Sequence, residues 1–152
     1  MLKPIKRAKE LQPLSRDHHQ GLLLCWKIRT GIKKGVDINR MKNYIDWFYE
    51  NHLVPHFEVE EKYIFPVLGN ENENIKKALA EHRRLKRLFE KKDDIKRTLN
   101  LIEEELESHI RFEERVLFNE IQAAATEDEL HNITKHHDSA IYCEDWKDEF
   151  WI

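Results

Sequence analysis

Apolar residues recur every three or four positions along most of the chain, which is the period of an amphipathic α-helix. Four such stretches follow one another. The fourth has the clearest period, and its inward stripe reads Leu99, Ile102, Leu106, His109, Glu113, Val116 and Glu120. Only four glycines and four prolines occur, so the pattern predicts an all-α protein. Short connections between four long helices favour an up-and-down antiparallel four-helix bundle.

Capping residues and helix breakers predict the helix boundaries. The predicted N-caps are Ser15 after Pro13 for the first helix, Asp37 or Asn39 for the second, Asn70 or Asn72 for the third, and Asp93 for the fourth. The first helix is predicted to run to the region of residues 31–35, which has a glycine at each end. Pro55 interrupts the second helix, because its ring clashes with the carbonyl four residues back. The run from Thr126 to Glu129 matches a capping box, which predicts a short fifth helix that ends near His137.

The chain has the length of one domain and contains no repeat or linker that would divide it. We predict a single domain over residues 1–152, with the bundle core at about 14–122 and a C-terminal helix and tail at 126–152. The tail mixes acidic residues with Tyr142, Trp146, Phe150 and Trp151. It packs either on the bundle or on a second copy of the chain, which would form a homodimer.

Composition argues against several classes of partner. The 26 Lys and Arg nearly balance the 29 Asp and Glu, so no overall positive charge favours nucleic acid or an anionic membrane surface. The longest uncharged apolar run, Gly21 to Trp26, is too short to span a bilayer, and the basic N-terminus lacks the apolar stretch of a secretory signal. Two cysteines, Cys25 and Cys143, do not form a disulfide framework. These features predict a cytoplasmic protein.

Nine histidines are the unusual feature of the composition. Periodicity places one on the inward stripe of each long helix: His18, His56, His82 and His109. Glu60 follows His56 by four residues and Glu113 follows His109 by four, and such pairs lie on one helical face roughly 6 Å apart. A buried carboxylate costs several kcal/mol unless it is paired or coordinated. A multivalent cation would satisfy both glutamates and the imidazoles together.

Three assignments stay open at this point. His52 lies one turn before His56 and is a candidate fifth imidazole, but Pro55 leaves its direction undetermined. His19 competes with His18, and the apolar stripe from Leu14 to Leu22 favours His18. One glutamate in each adjacent pair, 60–61 and 113–114, is expected to face solvent. The candidate ligands are therefore His18, His52, His56, Glu60, His82, His109 and Glu113.

Mixed imidazole and carboxylate ligands suit iron, manganese or zinc. No cysteine belongs to the set, which argues against a cysteine-based zinc or iron–sulfur site. Seven ligands are too many for one tetrahedral zinc ion, but they are enough for two ions bridged by carboxylates. The remaining histidines, His131, His136 and His137, lie beyond the bundle and are expected at the surface.

The segments RDHHQGLLL, HLVPHFEVEEKYIFPVL, EHRRL and SHIRFEERVLF, in this order and spacing, resemble the hemerythrin-like (HHE cation-binding) family. The resemblance covers roughly residues 14–122. It implies a bundle around two iron ions with an oxo or hydroxo bridge, with both carboxylates bridging the metals. The positions that match family ligands are His18, His56, Glu60, His82, His109 and Glu113.

Two positions depart from the oxygen-carrying members of that family. Lys86 stands where they have a second histidine on the third helix, and Glu113 follows His109 by four residues where they have an aspartate after five. The resemblance implies a protein that binds or senses O2, or a related molecule such as NO or peroxide, at an open position on iron. Other divalent metals can also suit the ligands. The departures mean that oxygen transport need not be its role.

Two other functions compete with this expectation. One is a redox or iron-handling enzyme that turns over NO or peroxide, or donates iron for repair. The other is a metal-free helical interaction module with structural histidines. No substrate pocket or docking motif is evident in the sequence, so we expect a metal- and O2-binding protein rather than an enzyme. Tyr44, Tyr49 and Tyr63 are candidates to contact a bound ligand.

Overall fold

The computed structural model describes residues 6–137 and 146–152, and this part of the chain contains helices and no strand. The predicted all-α class is confirmed, with four long helices and a short fifth. Tyr142 and Cys143 lie outside the described residues. None of the described helices combines the length and apolar composition that a membrane span needs.

Three of the five helices are continuous α-helices, and two contain wider turns. The first helix is Gln12–Lys34, the third is Glu73–Glu90 and the fifth is Glu127–His136. The second comprises α-helix Ile38–Phe48, π-helical turn Tyr49–Leu53, α-helix Val54–Val59, π-helical turn Glu60–Ile64 and 3-10 turn Phe65–Val67. The fourth comprises α-helix Ile95–Phe112, π-helical turn Glu113–Leu117 and α-helix Phe118–Ala124.

Two apolar clusters fill the interior at different levels of the bundle. The smaller cluster includes Leu14, Ile64, Ala78 and Leu117, and the larger includes Leu24, Leu53, Leu85 and Leu106. The first and third helices run from the smaller cluster to the larger one, whereas the second and fourth run in the opposite direction. Neighbouring helices are therefore antiparallel, and the packing confirms the predicted bundle. The residues between the clusters on each helix form a separate polar layer.

The observed caps agree only in part with the prediction. Asp37 caps the second helix, Asn72 the third, and Thr126 with Glu129 forms the capping box of the fifth. Ser15 is not a cap, because the first helix begins at Gln12 and already includes it; its hydroxyl donates to Glu114 at 2.9 Å. Asp94, not Asp93, precedes the fourth helix, with a left-handed backbone (φ 49°) and no side-chain cap.

The second helix passes through Pro55 without ending there. Pro55 lacks the N–H of an α-helical hydrogen bond, and its ring crowds the preceding turn. The π-helical turn just before it, which closes from the Val54 N–H to the Tyr49 carbonyl, provides the wider spacing. The two other π-helical turns begin at Glu60 and Glu113. Single π-helical turns inside α-helices occur frequently at functional sites.

The described tail residues pack on the chain's own first and second helices. Phe150 is buried in the larger cluster, and the ring of Trp146 lies 5.4 Å from that of Trp47. Gly31 permits this approach, because a Cβ at that position would lie 2.9 Å from Phe150 and 2.7 Å from Met41. The tail therefore belongs to the bundle of one chain, and a homodimer through it stays a prediction.

Candidate metal centre

Six histidine and glutamate side chains meet in the polar layer between the two apolar clusters, and none is more than 4% exposed. They form two groups of potential metal ligands: His18 and His56 with Glu60 and Glu113, and His82 and His109 with the same two glutamates. Within each group the ligand atoms all lie within 4.8 Å of one another. Because both glutamates belong to both groups, each can bridge two ions.

The distances show how the glutamates face both groups. Glu60 Oε2 lies 3.3 Å from His56 Nε2 and 3.6 Å from His18 Nε2, while Glu60 Oε1 lies 3.2 Å from His82 Nε2. Glu113 Oε1 lies 3.0 Å from His18 Nε2 and 3.2 Å from His109 Nε2. Helical periodicity explains the arrangement, since His56 and Glu60, and His109 and Glu113, are four residues apart.

Most of the inward-facing atoms of this cluster make no hydrogen bond to any described residue. The buried atoms concerned are Nε2 of His56, His82 and His109, both carboxylate oxygens of Glu60, and Oε2 of Glu113. Buried polar atoms are normally hydrogen-bonded, because leaving one unpaired costs roughly 1–3 kcal/mol. Nitrogen lone pairs and carboxylate oxygens are both ligands for cations such as iron, manganese and zinc. The residues present therefore fit a metal centre.

Besides the two buried glutamates, four other carboxylates contact the histidines from outside the cluster. We call these four the outer carboxylates. The pairs are His56 Nδ1 with Asp17 (3.0 Å), His82 Nδ1 with Glu61 (2.7 Å), His109 Nδ1 with Glu81 (2.7 Å) and His18 Nδ1 with Glu114 (3.0 Å). Each outer carboxylate belongs to the helix that precedes the helix of its histidine in the chain. The exception is Glu114, which lies on the fourth helix and pairs with His18 on the first. The hydrogen bonds form a closed ring around the bundle.

The outer carboxylates orient the imidazoles toward the centre. A histidine that donates from Nδ1 to a carboxylate keeps the Nε2 lone pair free, and its basicity as a metal ligand rises. With neutral imidazoles, the two inner glutamates and four outer carboxylates place six negative charges around the cluster. Two multivalent cations would offset much of that charge.

Residues 10–94 match the family model described as the Hemerythrin HHE cation binding domain, and this match covers more than half of the 152 residues. The chain belongs to this family. No curated protein and no solved structure gives a significant match. The matched segment of this HHE domain includes His18, His56, Glu60 and His82. The fourth helix begins at Ile95 and lies wholly beyond the matched segment, so His109 and Glu113 are placed in the cluster by the structure.

The structure distinguishes between His18 and His19 and shows where His52 lies. His18 is buried in the cluster, whereas His19 is exposed. His52 lies outside both ligand groups, and its ring contacts Trp47 and Phe48, each at 5.2 Å between centroids. The π-helical turn that contains His52 explains this position. A π turn has more residues than an α turn, so a step of four residues to His56 does not keep both side chains on one face.

Replacement of His52 is expected to leave the metal content unchanged. His52→Leu removes an imidazole that lies outside both groups, whereas His56→Leu removes a member of one group. Metal analysis after reconstitution and desalting should give the same number of ions per chain for His52→Leu as for the wild type, and fewer for His56→Leu. Fewer metal ions per chain in His52→Leu than in the wild type would show that His52 is a ligand.

Five contributing residues were not predicted from sequence. Glu61 and Glu114 were expected to face solvent, and their side chains are 46% and 30% exposed, but each also accepts a hydrogen bond from a histidine of the cluster. Asp17 and Glu81 make the equivalent contacts. A signal was present, because every outer carboxylate is the chain neighbour of a residue of the buried cluster. The expectation that His137 is a surface residue was wrong: its side chain is only 8% exposed, and its Nε2 lies 3.0 Å from Asp17 Oδ2.

Without metal, the cluster becomes a set of histidine and carboxylate ion pairs. Burial alone lowers the pKa of His56, but Glu60 and the hydrogen bond to Asp17 outweigh burial and raise that pKa from 6.5 to about 9. Burial and the nearby Glu113 charge favour protonated Glu60, but His56 and His18 outweigh them and lower the pKa of Glu60 from 4.5 to about 2. Proton uptake by the histidines therefore takes the place of metal binding.

Metal is expected to reverse the pH dependence of stability. The raised pKa of His56 stabilises metal-stripped protein fully below pH 6.5, and this contribution is lost as pH rises through about 9. The lowered pKa of Glu60 stabilises it above pH 4.5, and that contribution is lost as pH falls through about 2. Stripped protein should thus lose stability from pH 6.5 to 9. Metal-loaded protein should gain stability over the same pH range, because metal competes with protons for the imidazoles.

Thermal unfolding across pH 5–9, with chelator or with saturating metal, measures this difference. The two melting temperatures should be closest at low pH and should separate progressively above pH 6.5. An increase in the melting temperature of stripped protein between pH 6.5 and 9 would contradict the ion-pair account of the empty cluster.

Proposed function

We propose that this HHE domain holds two iron ions at the shared glutamates and binds or senses O2, or a related small molecule such as NO, at that centre. The observation that carries the proposal is that two histidine pairs share both Glu60 and Glu113. Each ion would receive two imidazole nitrogens and two carboxylate oxygens. Four protein ligands leave positions open on an ion that accepts six, and open positions are a feature of non-haem iron sites.

Iron suits this ligand set better than zinc does. Four ligands from the protein would complete a tetrahedral zinc ion, as in structural zinc sites. When bound, iron supplies reversible coordination of a diatomic molecule. A cavity of about 350 Å³ reaches His18, His56, His109 and Glu113, which provides space for such a ligand. The buried free thiol of Cys25 supports the proposal of a reducing, cytoplasmic setting.

The residues around the histidines restrict their movement. The His82 ring stacks on Phe57 at 3.9 Å between centroids, and the His18 ring stacks on Phe118 at 5.1 Å. Each imidazole is thus fixed by an aromatic face or a neighbouring ring and by its outer carboxylate. Such fixed surroundings keep the imidazoles oriented toward the metal positions, as a reversible binding site requires.

Metal analysis of protein purified without a histidine tag, together with its absorption spectrum, tests the proposal. We expect about two irons per chain, as the two ligand groups imply, and a spectrum that changes with O2 and returns when O2 is removed. Failure to bind metal in stoichiometric amounts after anaerobic reconstitution with Fe(II) would overturn it. Catalytic consumption of NO or peroxide by a normally loaded centre would instead support the enzymatic alternative.

A further inference from the structure

The cavity beside the metal centre is larger than a diatomic ligand needs. It has a volume of about 350 Å³ and lies between the first, second and fourth helices and the end of the fifth. One water molecule corresponds to about 30 Å³ of liquid, and an apolar cavity of about 150 Å³ can bind benzene. The volume therefore suits a compact organic molecule of about six to ten non-hydrogen atoms.

The cavity wall has an apolar side and a polar side. Apolar side chains include Leu53, Phe57 and Leu106, and all three belong to the larger core cluster. Among the described residues that line the cavity, none is lysine or arginine, and the carboxylates of Asp17 and Glu113 belong to the same wall, so the lining disfavours an anionic ligand. The Asp17 carboxylate already accepts from His56 and His137. This lining favours a neutral ligand.

His137 gives the polar side a specific hydrogen-bonding group. Its side chain is 8% exposed, it lines the cavity, and its Nε2 lies 3.0 Å from Asp17 Oδ2. Its Nδ1 is buried and has no hydrogen-bond partner among the described residues. In the neutral ring, the tautomer that donates from Nε2 to Asp17 leaves Nδ1 as an acceptor. A ligand with an O–H donor would satisfy that atom.

We propose that this cavity binds a small neutral hydroxyl compound, with its O–H donated to His137 Nδ1 and its apolar body against Leu53, Phe57 and Leu106. The compound would lie beside His18 and His56, in the space that also leads to the metal ligands. The cavity is thus a binding site for an organic molecule in addition to the diatomic ligand of the proposed function. Binding itself does not require iron, and this permits a separate test.

Phenol and toluene are suitable probes, because they have similar shapes and only phenol can donate a hydrogen bond. The protein is loaded with zinc, which has no redox chemistry, and each compound is titrated by calorimetry. We expect saturable binding of one phenol per chain and binding of toluene that is about tenfold weaker, since toluene leaves the buried Nδ1 unpaired. Equal affinities for the two compounds would overturn the role of His137.

Two pairs of variants locate the binding site. Gln20→Trp places a large side chain at the cavity lining and should abolish phenol binding, whereas Arg16→Trp on an exposed position of the same helix should not. His137→Leu should weaken phenol binding about tenfold, to the level of toluene, and the exposed neighbour His136→Leu should have no effect. His137→Gln should restore most of the preference, because its amide can donate to Asp17 and accept from phenol.

The metal content of each titrated sample separates this inference from the proposed function. Saturable phenol binding that Gln20→Trp abolishes supports the cavity site, whatever number of zinc ions the protein holds. Absence of saturable phenol binding, or binding that Gln20→Trp does not change, overturns the inference even when two ions are present. Failure to hold two ions counts against the proposed metal centre alone.

Discussion

Replacement of Glu113 by alanine should remove both metal ions from the centre, not one. Glu113 belongs to both ligand groups, so its loss leaves each group with only two histidines and Glu60. Glu60→Ala should have the same effect, because Glu60 is shared in the same way. His56→Ala, in contrast, removes a ligand from one group and should leave the other ion bound. The predicted metal contents are therefore near zero for the glutamate variants and about one ion for the histidine variant.

Metal analysis after reconstitution and desalting gives these numbers, and thermal unfolding gives the accompanying loss of stability. A metal present at a thousand times its Kd stabilises a protein by about 4 kcal/mol, and variants that cannot bind it lose that contribution. Glu58→Ala is the matched control, because Glu58 is exposed and lies two residues before Glu60 on the same helix. It should keep both ions. Retention of one firmly bound ion by both glutamate variants would show that the carboxylates do not bridge.

Most of the fold could be predicted because the helices are long and their apolar stripes are regular. A stripe with a period of three or four residues specifies which face is buried, and short connections specify antiparallel neighbours. The same period placed His18, His56, His82 and His109 on inward faces, where the structure has them. The least regular part of the chain, the C-terminal tail, offered two packing alternatives that periodicity could not separate.

Helical periodicity was less informative where the helices are not α-helical. The π-helical turn Tyr49–Leu53 changes the phase of the residues that follow it, so the α-helical spacing of His52 and His56 did not describe their real directions. The predicted N-cap of the first helix was wrong for a related reason. Ser15 is a favourable capping residue, but Pro13 is also favourable in the first turn of a helix, and the helix begins early enough to include both.

The outer carboxylates depend on contacts between helices, which no periodicity within one helix can specify. Asp17 and His56, for example, are 39 residues apart and meet only when the first and second helices pack in one register. The sequence nevertheless places an acidic residue beside a residue of the buried cluster on each long helix. This repeated adjacency is a useful indicator for a histidine-rich bundle, since each acid is positioned to reach the histidine of a neighbouring helix.

Removal of one outer carboxylate should weaken metal binding by roughly 10–100-fold without reducing the number of ions at saturation. Glu81 is a clear case, because its Oε1 lies 2.7 Å from His109 Nδ1 and it is not a member of either ligand group. Without this carboxylate, the His109 ring can rotate and can carry its proton on Nε2, where it blocks coordination. The loss of metal affinity caused by Glu81→Ala should therefore lie near the upper end of that range.

Glu81→Gln separates orientation from charge. The amide oxygen can still accept from His109 Nδ1, so the ring keeps its tautomer, but the negative charge that raises the basicity of Nε2 is lost. Glu81→Gln should therefore weaken metal binding by only about tenfold. Competition with a chromophoric chelator measures both affinities, and Glu90→Gln, an exposed position at the end of the same helix, is the control. Equal losses for alanine and glutamine would mean that charge alone is responsible. No loss for either would mean that the ring of outer carboxylates does not support the metal site, and the histidine orientations would then depend on aromatic packing alone.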